Sequence, residues 1–93
     1  MKRGERIYAY IQQGSEAWPG DQVTGRIGFD AQQIAAALDI LRNNVSKELN
    51  ELHRQGKIVK FLGRPVLYFD KACLESALGV ELGEGPASLT TSR

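Results

Sequence analysis

Polar side chains recur at helical spacing between residues 42 and 54 of this chain of 93 residues. The four that share one helical face are Asn43, Lys47, Asn50 and Arg54. At about 100° per residue, the opposite face is an apolar stripe of Val45, Leu49 and Leu52. An α-helix fits the major groove of B-DNA, where asparagine bonds adenine and lysine or arginine bonds guanine. The pattern therefore predicts a helix that packs by one face and reads bases with the other.

A basic hairpin is predicted directly after this helix. Two β-rich runs, residues 58–62 and 66–69, flank a Gly-Arg-Pro turn. Lys60 lies near the tip of this hairpin, and Gly63 and Arg64 form the tip itself. These residues are placed to meet the DNA backbone or the adjacent minor groove. A polar-faced helix followed at once by a basic-tipped hairpin is typical of a winged helix.

Positive charge is concentrated on this helix and hairpin. Residues 42–64 carry six basic and two acidic side chains, a net charge of +4, although the whole chain carries only +1. A local basic footprint is expected of a surface that contacts phosphates, and a merely solvated helix face is the alternative. Arg42, Asn44 and Ser46 flank the base-reading face as phosphate or sugar contacts. The predicted DNA-binding residues are Arg42, Asn43, Asn44, Ser46, Lys47, Asn50, Arg54, Lys60, Gly63 and Arg64.

The preceding elements complete a helix-turn-helix. A first helix is predicted over residues 2–13, ended by Gly14 and Ser15. Asp30 is a good N-cap for the second helix, with Gln33 placed as in a capping box. Residues 39–41 then form a short turn before the base-reading helix. Leu41 stands at the N-cap position of that helix and cannot accept its hydrogen bonds, so Asp39, or the asparagines of the first turn, are the alternatives.

The remaining segments are a long loop, a last helix and a tail. In the loop of residues 15–28, Trp18 or Val23 is expected to pack on the core, with a partner-binding Trp18 as the alternative. Asp70 caps a short helix over residues 71–78, and residues 80–93 are predicted to be a flexible linker or tail. The predicted class is α+β: a winged helix-turn-helix of three helices, a two-stranded β-wing and a short C-terminal helix, within one domain of residues 1–79.

The sequence does not contain a pattern that predicts a catalytic or metal site. His53 is the only histidine and Cys73 the only cysteine, so the chain itself cannot assemble a His/Cys metal cluster or an internal disulfide. No catalytic residue, enzyme activity or cofactor is therefore predicted. No apolar run approaches the ~20 residues of a membrane span, so no membrane partner is predicted, and a cytoplasmic location is the default expectation.

Residues 1–79 resemble the N-terminal winged-helix domain of the levanase operon regulator (LevR) family, bacterial sigma-54-dependent activators of sugar phosphotransferase operons. The pieces that carry the resemblance are KRGERIYAYI, RNNVSKELNELHRQGK and GRPVLYF. The resemblance implies a head that binds upstream activator DNA through the helix from Arg42 to Asn50 and a wing tip at residues 63–65. Leu41 departs from the family, whose members often carry serine there.

The resemblance also implies a larger parent protein. In that family the head is followed by an AAA+ ATPase that remodels sigma-54 RNA polymerase, and then by phosphotransferase regulation domains. Double-stranded DNA is the expected partner of this chain. The full-length protein is expected to bind paired sites as a homo-oligomer. Its other domains are expected to contact sigma-54 RNA polymerase. A winged helix that serves protein–protein contact or dimerisation, without touching DNA, is the alternative.

Overall fold

The computed structural model of the chain describes residues 2–18 and 27–90. Within these residues the chain forms four helices and three strands. They are α1 (Arg3–Glu16), α2 (Ala31–Leu38), α3 (Arg42–Arg54), β1 (Ile58–Leu62), β2 (Leu67–Asp70), α4 (Lys71–Leu78) and β3 (Ala87–Thr90). The predicted α+β winged helix-turn-helix is confirmed.

Helices α1, α2 and α3 share one apolar core. Each contributes the stripe that its periodicity predicts, so the three helices pack together by their apolar faces. The fully buried side chains that they contribute are Ile7, Ile11, Ile34, Val45 and Leu49. This packing holds α3 by one face only and leaves its opposite face to solvent.

Helix α1 is longer than predicted, because Gly14 does not end it. A Cβ at Gly14 would lie 2.4 Å from Cζ of Phe29, so glycine is needed here for close packing and not for a turn. Ser15 is buried in the last turn, and its hydroxyl accepts a hydrogen bond from the backbone N–H of Asp70 at 3.0 Å. The helix therefore continues to Glu16.

The sheet separates two apolar clusters. β1 is the central strand: it runs antiparallel to β2, with Lys60 opposite Tyr68, and parallel to β3, with Lys60 opposite Ser88. Because side chains alternate between the two faces of a strand, Ile58 joins the helical core while its neighbours join a second cluster beneath α4. The second cluster consists of Val59, Phe61, Leu67, Phe69 and Leu74.

The prediction of only two strands is wrong, since the segment predicted to be a linker or tail supplies β3. Leu82, Ala87 and Leu89 pack against the second cluster. The backbone N–H of Leu82 donates to the Glu75 carboxylate at 2.7 Å, and the buried Lys71 ammonium donates to two carbonyls of the segment. The Gly-, Ser- and Thr-rich composition concealed these few apolar anchors.

Two predicted helix caps are confirmed. The Asp30 carboxylate accepts a hydrogen bond from the backbone N–H of Gln33 at 2.6 Å, and Asp70 accepts one from Cys73 at 3.1 Å. Gly79 ends α4 in the left-handed region with a φ of 69°. These caps fix where α2 and α4 begin.

Trp18 packs on the core, as predicted. Its ring meets Phe29 and Phe69 edge-on, with centroids 5.8 Å away in both cases. Phe29 also pairs with Tyr68 through an isolated β-bridge, which ties the chain before α2 to β2. Val23, the other residue expected to pack, lies outside the described residues.

Candidate nucleic-acid interface

The outward face of α3 carries the side chains that the sequence singles out. Val45, Leu49 and Leu52 are buried on the inner face. The exposed side chains of the helix include Arg42, Asn43, Lys47, Asn50 and Arg54. Asn44 and Ser46 are half-buried along its margins. The structure therefore brings the seven predicted helix residues to one open side of the molecule or its edges.

Most of this outward face is free to bind something else. Within residues 2–18 and 27–90, no hydrogen bond or ion pair engages the side chains of Asn43, Lys47 or Asn50. The same holds for Arg42 at the start of the helix. Amide and ammonium groups that are held on a rigid helix without internal partners keep their full capacity to bond base edges or phosphates.

Arg54 differs from the other exposed residues because it is already paired. Its guanidinium donates two hydrogen bonds to the Glu51 carboxylate on the same helix, which also accepts one from Gln55 at 2.8 Å. The hydrogen bonds from Arg54, followed by that from Gln55, lower the pKa of Glu51, and the same carboxylate raises the pKa of Arg54. The positive charge of Arg54 is thus largely compensated at the end of α3.

The second carboxylate of α3 is turned away from the outward face. Glu48 accepts a hydrogen bond from Nε of Arg3 at 3.0 Å, which links α3 to α1. A Cβ on Gly4 would lie 2.9 Å from Oε1 at the flexible end of Glu48, so the two helices are close at this point. Both acidic side chains of α3 are therefore satisfied by neighbouring groups, and the charge of Lys47 stands uncompensated among the described residues.

The hairpin between β1 and β2 presents its tip to solvent. Leu62, Gly63, Arg64 and Pro65 are all exposed. Arg64 has no side-chain partner in the described part of the chain. Lys60 is half-buried, with Nζ 5.9 Å from the centroid of the Tyr68 ring, so its ammonium rests on an aromatic face. Of the two predicted wing cations, Arg64 is therefore the more accessible.

Leu41 is the N-cap of α3, and no side chain of the described residues caps this helix. Its carbonyl accepts the backbone N–H groups of Asn44 and Val45 at 3.0 Å, but its side chain makes no cap hydrogen bond and is 74% exposed. Asp39 instead adopts the left-handed conformation, with a φ of 56°, at the end of α2. Neither Asp39 nor the asparagines supply the cap, which removes both predicted alternatives.

His53 is the residue of this region whose role the sequence did not indicate. Its Nε2 lies 3.1 Å from the Ala87 carbonyl oxygen and 3.0 Å from Oγ of Ser88. It therefore joins the end of α3 to β3. The helical period places His53 on the flank of α3, but only knowledge of β3 would have supplied its partners.

The described part of the chain holds no group of three His, Cys, Asp or Glu side chains that could bind a metal ion. No helix in that part is long and apolar enough to cross a membrane.

Two transcriptional regulatory proteins are similar to this chain. DagR of Salmonella typhimurium (strain 14028s / SGSC 2262) is 43% identical over 84 residues, which are 90% of this chain and 9% of DagR. LevR of Bacillus subtilis (strain 168) is 35% identical over 68 residues, which are 73% of this chain and 7% of LevR. The chain thus spans less than a tenth of either relative. No family model and no solved structure matches it.

Proposed function

The chain belongs to the family of transcriptional regulatory proteins that includes DagR and LevR, and we propose that it is the segment that binds double-stranded DNA sequence-specifically. The observation that carries the proposal is the outward face of α3. Asn43, Lys47 and Asn50 are exposed there on a rigid helix and have no partner within the described residues. Their amides and ammonium group suit adenine and guanine edges.

The proposed binding mode divides the contacts into two kinds. Asn43, Lys47 and Asn50 read base edges from within the major groove, while Arg42, Asn44 and Ser46 contact phosphate or sugar. Lys60, Gly63 and Arg64 bring the wing to the backbone or the adjacent minor groove. Arg54, being paired with Glu51, is the weakest member of this set.

The parent protein is proposed to be a bacterial, cytoplasmic, sigma-54-dependent activator of a sugar phosphotransferase operon. The support is the resemblance to the LevR family and the small share of each relative that the chain spans, 9% and 7%. ATPase activity and contacts with sigma-54 RNA polymerase would belong to other domains. Because one small module buries limited DNA surface, the parent is proposed to bind paired sites as a homo-oligomer.

Selection from random duplex DNA tests the proposal. The chain is immobilised, incubated with the pool at low and moderate salt, and the retained duplexes are sequenced. We expect enrichment of a defined motif that weakens as salt rises, because phosphate contacts release counterions. An artificially dimerised form is run in parallel, so that weak binding by a single head is not mistaken for no binding.

Single variants separate base contacts from backbone contacts. Lys47→Ala or Asn50→Ala should weaken binding to the selected duplex by roughly 1–3 kcal/mol and make binding less selective for the motif. Arg64→Ala should weaken binding to all duplexes alike. Lys57→Ala is the matched control, because it removes the same charge from a side chain that lies over the Tyr8 ring. Absence of retention by both the single and the dimerised chain would contradict the proposal and favour a protein-contact module.

A further inference from the structure

Leu41 is the most exposed large apolar side chain among the described residues, and it stands at the start of α3. It is 74% exposed, against 43% for Leu62, 49% for Leu78 and 50% for Val80. Unlike Leu78 and Val80, it stands at the N-terminal end of the helix that carries the proposed base-reading residues. An aliphatic side chain is thus presented to solvent beside Arg42 and Asn43, which are polar.

The fold does not account for leucine at this position. An N-cap favours serine, threonine, asparagine or aspartate, whose oxygen accepts a backbone N–H of the first turn. Leu41 makes no such bond, and its exposure shows that it contributes little to either apolar cluster. A residue that neither caps the helix nor packs in the core is free to serve an external contact.

The external contact that suits this residue is a methyl group on DNA. Residues at the N-terminus of a recognition helix are those that approach base edges. Among the base edges of the major groove, the C5-methyl of thymine is the apolar group, and aliphatic side chains contact it. The leucine side chain has no donor or acceptor and cannot hydrogen-bond a base edge. We propose that Leu41 is a specificity-determining residue that contacts a thymine methyl group; this inference rests on the proposed DNA binding.

Thymine-to-uracil replacement isolates this contact, since uracil lacks only the methyl group. The duplex selected by the chain is prepared with deoxyuridine in place of each thymine in turn, and affinities are measured for the natural chain and for Leu41→Ala. For the natural chain we expect one replacement to weaken binding about fourfold, the factor expected from one methylene-sized group that is no longer buried. For Leu41→Ala the same replacement should have no effect.

Two further variants make the comparison specific. Leu78→Ala shortens an exposed leucine on α4 and should keep the full uracil penalty. Leu41→Ser introduces a side chain that can cap α3. Loss of the uracil penalty in this variant therefore cannot be attributed to a frayed helix. Selection repeated with Leu41→Ser should also lose its preference for thymine at the affected position.

The outcomes distinguish the inference from the function on which it rests. If the chain retains DNA but no uracil replacement weakens binding, or if the penalty persists in Leu41→Ala, the inference is overturned and the DNA-binding function stands. If neither the single nor the dimerised chain retains DNA, both are overturned. A penalty at one thymine that disappears in both Leu41 variants and persists in Leu78→Ala supports the contact.

Discussion

At the scale of single residues, Asp70 connects three elements through one buried carboxylate. Its side chain is 1% exposed and accepts hydrogen bonds from the Tyr8 hydroxyl at 2.9 Å and the Cys73 backbone N–H at 3.1 Å. Its own N–H donates to Ser15. A buried carboxylate is tolerated when its oxygens are satisfied, and here the same bonds fix α1, β2 and α4 relative to one another.

This arrangement predicts a loss of stability in alkali. Burial, followed by the hydrogen bond to Asp70, raises the pKa of Tyr8 from 10.0 to about 12. Burial and the Asp70 carboxylate raise the pKa of Cys73 from 9.0 to about 11. Both groups therefore stabilise the fold fully below pH 9.0, and this contribution is lost as the pH rises towards 11 and 12. Urea titrations from pH 8 upward should show a falling free energy of unfolding.

Tyr8→Phe provides the control for the alkaline prediction. At neutral pH it should lower the free energy of unfolding by about 1 kcal/mol or more, because Asp70 loses a buried hydrogen bond. Its decline in alkali should be shallower than that of the natural chain. Tyr10→Phe should keep the full decline, since the Tyr10 ring packs on Phe29 and its hydroxyl has no partner in the described residues. An identical pH dependence in all three proteins would refute the assignment.

Replacing Leu41 with serine should increase the stability of the fold and reduce the selectivity of DNA binding. Leu41→Ser should raise the free energy of unfolding by about 0.5–1 kcal/mol, because serine can accept an unsatisfied N–H at the start of α3. The same variant should lose the thymine preference inferred above. Leu78→Ser, at a comparable exposed leucine outside an N-cap, should not be stabilising. A thermal melt of the three proteins measures this, and no gain for Leu41→Ser would show that the helix end is already satisfied.

How well residues could be predicted depended on how local their chemistry is. Asp30 and Asp70 cap their helices as predicted, because an N-cap bonds a backbone group only three residues away. The stripe of Val45, Leu49 and Leu52 was equally accessible from its period. His53 was not, because its partners, Ala87 and Ser88, lie on a strand that the sequence did not reveal.

At the scale of elements, β3 and the segment that leads into it are held by contacts from three directions. Lys71 on α4 donates to the carbonyls of Gly83 and Gly85, and Glu75 accepts from Leu82. His53 meets the strand from α3. Gly56 faces the Gly85 backbone, where a Cβ would lie 2.9 Å from the carbonyl oxygen. Residues 80–90 are therefore built into the fold.

Shortening the chain tests that conclusion. Ending it after Gly79 should uncover the second cluster and lower the free energy of unfolding, by about 25 cal/mol for each Å² of apolar surface newly exposed. A linker without packing would give no change. Glu84→Ala is the control for surface composition, because Glu84 is exposed and has no partner among the described residues. Urea denaturation of the three proteins decides between the two descriptions.

Element boundaries were harder to predict than element types. The helices and the hairpin follow from period and turn chemistry, but Gly14 does not end α1 as the sequence predicts. A glycine ends a helix or allows close packing, and only its neighbour, Phe29, decides between these roles. The same limitation applies to β3, whose pairing with β1 is a long-range contact.

At the scale of the whole molecule, some cations are paired with carboxylates and others are left without an acidic partner. The carboxylates of α3 pair with Arg3 and Arg54, while the side chains of Arg42, Lys47 and Arg64 keep no acidic partner among the described residues. The sequence revealed the net charge of +4 in residues 42–64. It could not show which cations are compensated, because that depends on rotamers and on the distance between α1 and α3.

The salt dependence of DNA binding can be predicted from which cations are paired with carboxylates and which are free to contact phosphates. If Arg42, Lys60 and Arg64 contact phosphates, the logarithm of the association constant should fall with the logarithm of salt concentration with a slope of roughly −3. Arg64→Ala should reduce that slope by roughly 1. Arg54→Ala should change it less, because the Arg54 guanidinium is engaged by the Glu51 carboxylate and is not free to contact a phosphate.

Binding of the selected duplex at four or more salt concentrations measures these slopes. Lys57→Ala again serves as the matched control and should leave the slope unchanged, since its ammonium lies 5.5 Å from the centroid of the Tyr8 ring and belongs to no proposed DNA contact. Equal reductions for Arg64→Ala and Arg54→Ala would mean that Arg54 leaves Glu51 to reach a phosphate, and the DNA-contacting surface would then extend to the end of α3. A slope near zero would exclude phosphate contacts altogether and leave the outward face of α3 to a protein partner.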